Sequence, residues 1–477
     1  MPKQSSSKQL ATKKVQKIRT GSIERKFMLA KAGLVASSRY ASKSAGALLK
    51  NKEQRSKFRK EVLSQEAHYL AEELGKLKGS VVKIGQMMAL YGELFLPEEV
   101  TDALHTLEEN TTPVAWDTIK ETLIAELGES CLDELDIEHE PIGAASLGQV
   151  HKATRKSDGK VLCLKVQYPG VAAAIDSDLS SVASLLKLTR SVKMGKDFDQ
   201  WFNEIRFMMH REVDYHEEFH TTRRFGELLK DDDRFVVPEV FERYSTGNVL
   251  CTSFEHGMVV NSPSVLGLSL ERRNRIARSA LDLLFKELFD WRELQTDPNF
   301  GNYRVRLASE SDEHDQLVLL DFGAVRAFPE HIMKPVELMI RGAYFRDKKK
   351  VLDGAVAVNF MQPHFPPKVL NAFTEIIYDL MEPVASEANP PPAFALNQYG
   401  DYCWVESDLP ARVARKATIS AISKHFNMPP KEFLFLQRKL VGVYTMIQVL
   451  RAEFNGQDVF DHYLDQLADE LDDNSPD

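Results

Sequence analysis

The stretch Leu294-Gln-Thr-Asp-Pro-Asn-Phe-Gly-Asn-Tyr303 is followed, after a strand-like segment, by Leu317-Val-Leu-Leu-Asp-Phe-Gly-Ala-Val-Arg326, and this pair organises the 477-residue chain. Asp297 and Asn302 stand five positions apart. Asp321 closes a buried-strand pattern, Leu317–Leu320, and opens an Asp-Phe-Gly turn. Phosphoryl transfer uses this arrangement: the first Asp receives or orients the nucleophile's proton, while the Asn and the later Asp hold Mg²⁺ against phosphates. Hard oxygen donors in small number suit Mg²⁺, which keeps its waters and binds phosphate oxygens. Asp-Pro-Asn alone is also a turn sequence, so the weight lies in both halves occurring in order across a short hairpin. The pattern calls for three partners upstream: a phosphate loop, a lysine on a strand and a glutamate on a helix.

Candidates for all three are present. Pro141-Ile-Gly-Ala-Ala-Ser-Leu-Gly-Gln-Val-His151 places Gly143, Gly148 and Val150 as in G-x-G-x-x-G-x-V, with Ala145 where the middle glycine would stand. Ala144, Ala145 and Ser146 complete the loop, which is expected to contact nucleotide phosphates. Lys165 lies in the apolar strand Val161–Val166. A lysine in a buried strand needs an anionic partner; the bland alternative is an edge-strand lysine pointing at water. Residues 171–230 read as helical. Asp214 and Glu218 are four apart and share a face, whereas Glu212 points away if the helix is regular. One of these acids is the expected partner of Lys165. Residues 236–240 and 249–257 read as two strands completing a small sheet. Thr252–Gly257 then joins two lobes, where Ser253, Phe254 and Glu255 would meet an adenine edge through backbone groups.

Residues 61–95 give the clearest helical pattern. Leu70, Leu74, Leu77, Val81, Ile84, Met88 and Tyr91 recur at spacings of three and four, predicting one continuous apolar stripe. Lys83 and Gln86 fall on the opposite face, and from periodicity alone that face is solvated. Gly79 and Gly85 are costly inside a helix and imply that something approaches this face closely. Residues 27–49 form a small-residue helical stretch, either docked on the body or lying on a membrane surface. Residues 96–140 read as short helices, 268–291 as an amphipathic helix, and 330–477 as almost wholly helical, with a break at Pro390–Pro392 and an acidic tail at Asp469–Asp473.

Composition bounds partners and compartment. The chain is 43% hydrophobic and 27% charged, ordinary for a globular protein with a real core. Cys131, Cys163, Cys251 and Cys403 lack metal-ligand spacing and point to a reducing compartment. No apolar run reaches the length of a transmembrane helix, and residues 1–20 lack the apolar segment of a signal peptide. The net charge of −9 hides an asymmetry, since residues 1–60 hold 17 Lys and Arg against only Glu24 and Glu53. A basic arm suits an anionic partner. An anionic membrane surface attracts polybasic segments by about 1 kcal/mol per charge, and is expected here rather than nucleic acid. The compartment expected is the cytoplasm, with peripheral membrane association. The mitochondrial matrix is the second reading, because a basic, Ser-rich terminus is also the composition of a transit peptide.

These residues together resemble the UbiB (AarF-type) family of atypical kinase-like proteins, over roughly residues 70–330. The resemblance rests on Lys83-Ile-Gly85-Gln86 (the family's K-x-G-Q), Ala144-Ala145-Ser146 (its Ala-rich loop), Lys165, Glu212-Val-Asp214 (its E-x-D), Glu218, Asp297, Asn302 and Asp321-Phe-Gly323. It implies an α+β, protein-kinase-like two-lobed fold, with a small β-rich N-lobe, a large helical C-lobe and an added N-terminal helical extension. The corresponding divisions are a basic, partly disordered arm (1–60), the extension (61–138), the N-lobe (139–257) and the C-lobe (258–477). The resemblance implies that Lys83, Gly85 and Gln86, with Glu212 and Asp214, form a regulatory lid facing the site. It further implies ATP (or ADP) and Mg²⁺ as cofactors, with Lys165 paired to Glu218, Asp297 catalytic, and Asn302 and Asp321 as metal ligands. Family members are described as unorthodox kinases or ATPases tied to ubiquinone synthesis and to lipid binding at membranes, so a lipid or quinone precursor is an implied ligand. A nucleotide-binding pseudokinase acting as a regulatory module is the alternative. A conventional Ser/Thr kinase ranks lower, because little room follows Gly323 for an activation segment. The sequence departs from the family at Gly143 (usually Ala), Gln295 (usually His), Asn299-Phe300 (usually His-Pro) and Thr252-Ser253 (usually Met-Glu).

Overall fold

The alternating run Val161–Gln167 makes the central strand of an antiparallel sheet. Leu162, Leu164 and Val166 have no exposed surface, while Cys163 and Lys165 stand half-buried on the other face, as the strand's two-residue period requires. Each fully buried aliphatic side chain contributes about 1.5–3 kcal/mol. This is a computed structural model, describing residues 22–45, 52–77, 79–92, 96–107, 113–189, 196–297, 299–308, 314–421 and 431–472. Residues 1–21 and 46–51 of the basic arm expected to contact a membrane lie outside the described residues.

The chain divides into two compact units: residues 1–223 with 239–254, and residues 224–238 with 255–477. In the first, the sheet runs in the order Leu135–Ile137, Gly148–Arg155, Val161–Gln167, Val249–Ser253, with Gly143–Ala144 pairing on the second of these strands. Helix Ser22–Ala45 packs on helices Lys52–Leu77 and Val171–Thr189, and helix Ser80–Tyr91 packs on Glu98–His105 and Val171–Thr189.

Two expectations are corrected here. The apolar stripe over 61–95 is carried by two helices, not one. Gly79 takes φ 63°, a left-handed value that favours glycine, and the chain re-enters a helix at Ser80. The close approach implied by Gly85 is made by the protein itself, because a Cβ there would collide with the Leu107 side chain. Likewise the helical stretch over 171–230 is interrupted. Helix Lys196–Glu212 ends, and Tyr215–Leu228 begins after Asp214, whose Oδ1 accepts the Glu217 N–H at 3.1 Å as an N-cap contact. Glu212 and Asp214 therefore do not share one regular helix.

The second unit has a four-stranded sheet ordered Phe235–Val236, Gln316–Leu319, Tyr303–Arg306, Met258–Val259, and a two-stranded ribbon of Glu293–Gln295 with Val325–Ala327. Phe235–Val236 pairs in parallel with Gln316–Leu319. It does not complete the first unit's sheet as expected; the segment that follows does so briefly, with Val240 bridging to Thr252. Helix Leu270–Phe285 passes into a π turn at Lys286–Asp290. The described remainder is mostly helical, from Glu330–Tyr344 to Gln457–Asp472, with an irregular stretch over 385–408 that contains the expected break at Pro390–Pro392, and the acidic run continues a helix up to Asp472.

Candidate active site

In the first unit the site residues gather on the half-buried face of the sheet. Lys165 Nζ donates to Glu218 Oε1 and Oε2 at 2.7 and 2.8 Å. Glu218 is 4% exposed and Lys165 30%, so the carboxylate is buried while the ammonium keeps contact with water. The Tyr215 ring lies beneath the same ammonium, 5.1 Å away. The edge-strand lysine pointing at water is thereby excluded. Val150 is the register partner of Lys165 and shares its face.

The loop before Val150 is a tight hairpin. Gly143 pairs with Val150 and Ala144 with Gln149, and the Ala145 N–H donates to the Gly148 carbonyl at 2.8 Å. Ser146 is buried. Gly148 is required by proximity, since a Cβ would come within 2.5 Å of the Val166 carbonyl oxygen; at Gly143 a Cβ would meet nothing. Ser253 and Phe254 end the sheet: the Ser253 N–H donates to the Glu239 carbonyl and the Phe254 N–H to the Val161 carbonyl. Glu255 belongs to the second unit, where its carboxylate pairs with Arg306.

Lys83 is not on a solvated face. Its Nζ pairs with Glu212 Oε1 at 2.6 Å, and Gln86 Nε2 donates to the Leu107 carbonyl at 3.3 Å. Of the two E-x-D acids, Glu212 holds the lysine and Asp214 caps the next helix. The Lys83 helix is anchored at its start by Ser80, which donates to Asp178, both buried.

In the second unit Asp297, Asn302 and Asp321 are held by short turns. Asn302 Nδ2 donates to Asp297 Oδ2 at 2.9 Å, and Asp297 Oδ1 accepts the Asn299 N–H at 3.3 Å. The Gly323 N–H donates to Asp321 Oδ1 at 2.9 Å, closing the Asp-Phe-Gly turn. Phe322 is buried against Phe225, ring centroids 4.9 Å apart. The oxygen donors are of the type Mg²⁺ takes: because the Asn302 nitrogen is engaged by Asp297, the amide's other atom is an oxygen. Residues 324–329 alone separate this turn from helix Glu330–Tyr344, and Val325–Ala327 within them is a strand.

Sequence reasoning missed the supports beneath this turn. Gln295, where the family usually has His, donates from Nε2 to the Asp321 carbonyl at 2.6 Å and accepts the Asp297 N–H on Oε1 at 2.9 Å. One amide thus ties the two acidic segments together, as a single imidazole with one donor and one acceptor would. The Gln295 N–H in turn donates to Glu287, which forms a buried ion pair with Lys439 at 2.7 Å.

The ABC1 atypical kinase-like domain matches residues 106–355, more than half of the chain. This chain belongs to the ABC1 atypical kinase-like family. An ABC1 domain implies nucleotide binding and, by class, an ATP-dependent phosphotransferase or ATPase. Similar proteins include atypical kinase COQ8B, mitochondrial, of Danio rerio (30% identical over 83% of this chain and 60% of its own length). Atypical kinase COQ8, mitochondrial, of Saccharomyces cerevisiae is 26% identical over 82% of this chain and 74% of its own length. A probable serine/threonine-protein kinase, abkA, of Dictyostelium discoideum is 28% identical, with 83% and 70% covered. The chain therefore spans 60–74% of the length of these three relatives. Among solved structures, Rv3197 of Mycobacterium tuberculosis, in its complex with erythromycin, has TM-score 0.57 and 21% identity, covering 87% of this ABC1 chain and 98% of that one, a likeness of fold. No described helix of this ABC1 protein is long and apolar enough to cross a membrane.

Proposed function

We propose that this ABC1 protein is an Mg-ATP-dependent atypical kinase or ATPase that supports ubiquinone synthesis at a membrane. The observation that carries the reading is the joint presence of the Lys165–Glu218 ion pair and the turn-held set Asp297, Asn302 and Asp321. A module that only binds nucleotide has no need of Asp297. Lys165, oriented by Glu218, would neutralise phosphate charge, with the Gly143–Gly148 hairpin offering backbone N–H groups to the same phosphates. Asn302 and Asp321 would hold Mg²⁺, which neutralises charge on the transferred phosphoryl group when bound. Asp297 would accept the proton of the attacking hydroxyl or water, its carboxylate steered by the Asn302 amide. Lys83 with Glu212, Gly85 and Gln86 would regulate access, and Ser253, Phe254 and Glu255 would meet the adenine.

Phosphate release from Mg-ATP, compared between the full chain and Asp321→Asn, tests this reading. Loss in the variant of about a hundredfold or more is expected, since metal and charge-stabilising groups carry several kcal/mol of the barrier. Equal release by both, with nucleotide still bound, would turn the reading into the pseudokinase alternative.

The basic residues of the first 60 positions would dock an anionic membrane, bringing the site to a lipid or quinone-precursor ligand. Flotation with anionic vesicles is expected to weaken with salt and with deletion of residues 1–60; undiminished binding after the deletion would remove this element. The relatives named as mitochondrial support a mitochondrial location over the cytoplasm.

A further inference from the structure

Lys439 and Glu287 are the most deeply buried ion pair among the described residues that contacts the segment bearing Asp297. Their side chains are 2% and 3% exposed, with Nζ 2.8 Å from Oε1 and 2.7 Å from Oε2. Glu287 lies in the π turn Lys286–Asp290, and Lys439 in helix Lys431–Val449, far along the chain. A buried pair of this kind is weak evidence of added stability, because desolvating two charges offsets most of their attraction. Its value therefore has to be sought in what it orients.

The chain of contacts gives the answer. Glu287 Oε2 accepts the Gln295 backbone N–H at 3.0 Å. The Gln295 side chain accepts the Asp297 N–H and donates to the Asp321 carbonyl. Lys439 also lies 3.5 Å from the Tyr303 hydroxyl, on the strand that follows Asn302. Lys439 donates to two different segments that bracket the Asp297–Asn302 turn, and Glu287 fixes the residue that joins Asp297 to Asp321. The π turn is the local irregularity that carries Glu287 to this point; such turns often mark functional sites.

The geometry points to Glu287 and Lys439 as positioning residues, which set the spacing of Asp297 and Asp321 through Gln295 and Tyr303. Neither touches substrate. The inference rests on the proposed roles of Asp297 and Asp321, and its contact chain stands on the structure alone.

Two double variants separate positioning from simple stability, and both avoid leaving one buried charge without its partner. Glu287→Gln with Lys439→Met keeps a carbonyl acceptor for the Gln295 N–H. Glu287→Leu with Lys439→Met removes it. The first readout is amide hydrogen exchange of the full-length chain at Gln295, Asp297 and Gly323, which requires no activity. The Leu pair is expected to lose protection there by about tenfold relative to the Gln pair, at matched melting temperatures. The second readout is Mg-ATP turnover: kcat is expected to fall about ten- to a hundredfold in the Leu pair, as misplacement of a reacting group does, with KM changed far less, and the Gln pair recovers part of the loss. Equal exchange in the two variants overturns the inference whatever the turnover. A global rather than local loss of protection also overturns it, because the pair would then serve stability only. If the unsubstituted chain shows no turnover while exchange behaves as expected, the functional reading fails and the positioning inference stands.

Discussion

The two sets of candidate residues, one in each unit, are held in opposite ways. In the first unit each functional side chain is fixed by a partner far along the chain: Lys165 by Glu218, 53 positions on, and Lys83 by Glu212 from a different helix. In the second unit the functional side chains are fixed by neighbours two to five residues away, through Asp297–Asn302, Asp297–Asn299 and Asp321–Gly323. A long-range pair exists only while two elements stay packed, so it can report on their packing. A closed turn holds its own shape, and needs the rest of the fold only to be aimed.

This contrast can be broken at either end. Removing Lys165 by Lys165→Ala leaves Glu218 buried without its cation. The expected cost is about 1–3 kcal/mol in urea unfolding, below the full value for a buried pair because Lys165 retains access to water. Adding Glu218→Gln should recover most of that stability without restoring nucleotide binding; no recovery would mean that the pair does not act as a unit. A smaller effect is expected from Asn302→Ala. It removes one local hydrogen bond and should cost about 0.5–1.5 kcal/mol, while Mg²⁺-dependent turnover collapses. A stability loss as large as that of Lys165→Ala would show that the second unit's set is not self-contained.

The same contrast governs how much was legible in the sequence. The turns that hold Asp297, Asn302 and Asp321 were readable because turn geometry is written in consecutive residues. The Lys165 strand was readable from its two-residue alternation. Lys83 read from periodicity alone as solvated, since nothing in a helical pattern announces a partner on another helix; the costly glycines at 79 and 85 hinted at a close neighbour, and the family resemblance pointed to which side it lay on. The break at Gly79 was hidden because the apolar stripe continues in phase through it, so spacing alone cannot detect a change of direction. Two-residue strands such as Phe235–Val236 carry no signal of which sheet they will join. Lys439 was the least visible of all. Among apolar neighbours a lysine reads as one that reaches out to water, and its burial depends on Glu287, contributed by another helix.

Residues 324–329, Ala-Val-Arg-Ala-Phe-Pro, contain no hydroxyl side chain. In many phosphotransferases the longer segment after this turn is where a covalent mark from an upstream enzyme is written and stored. Here that page is missing. What this segment allows must follow from what is bound at the moment, so any memory of a past signal has to be kept elsewhere in the molecule or in its partners.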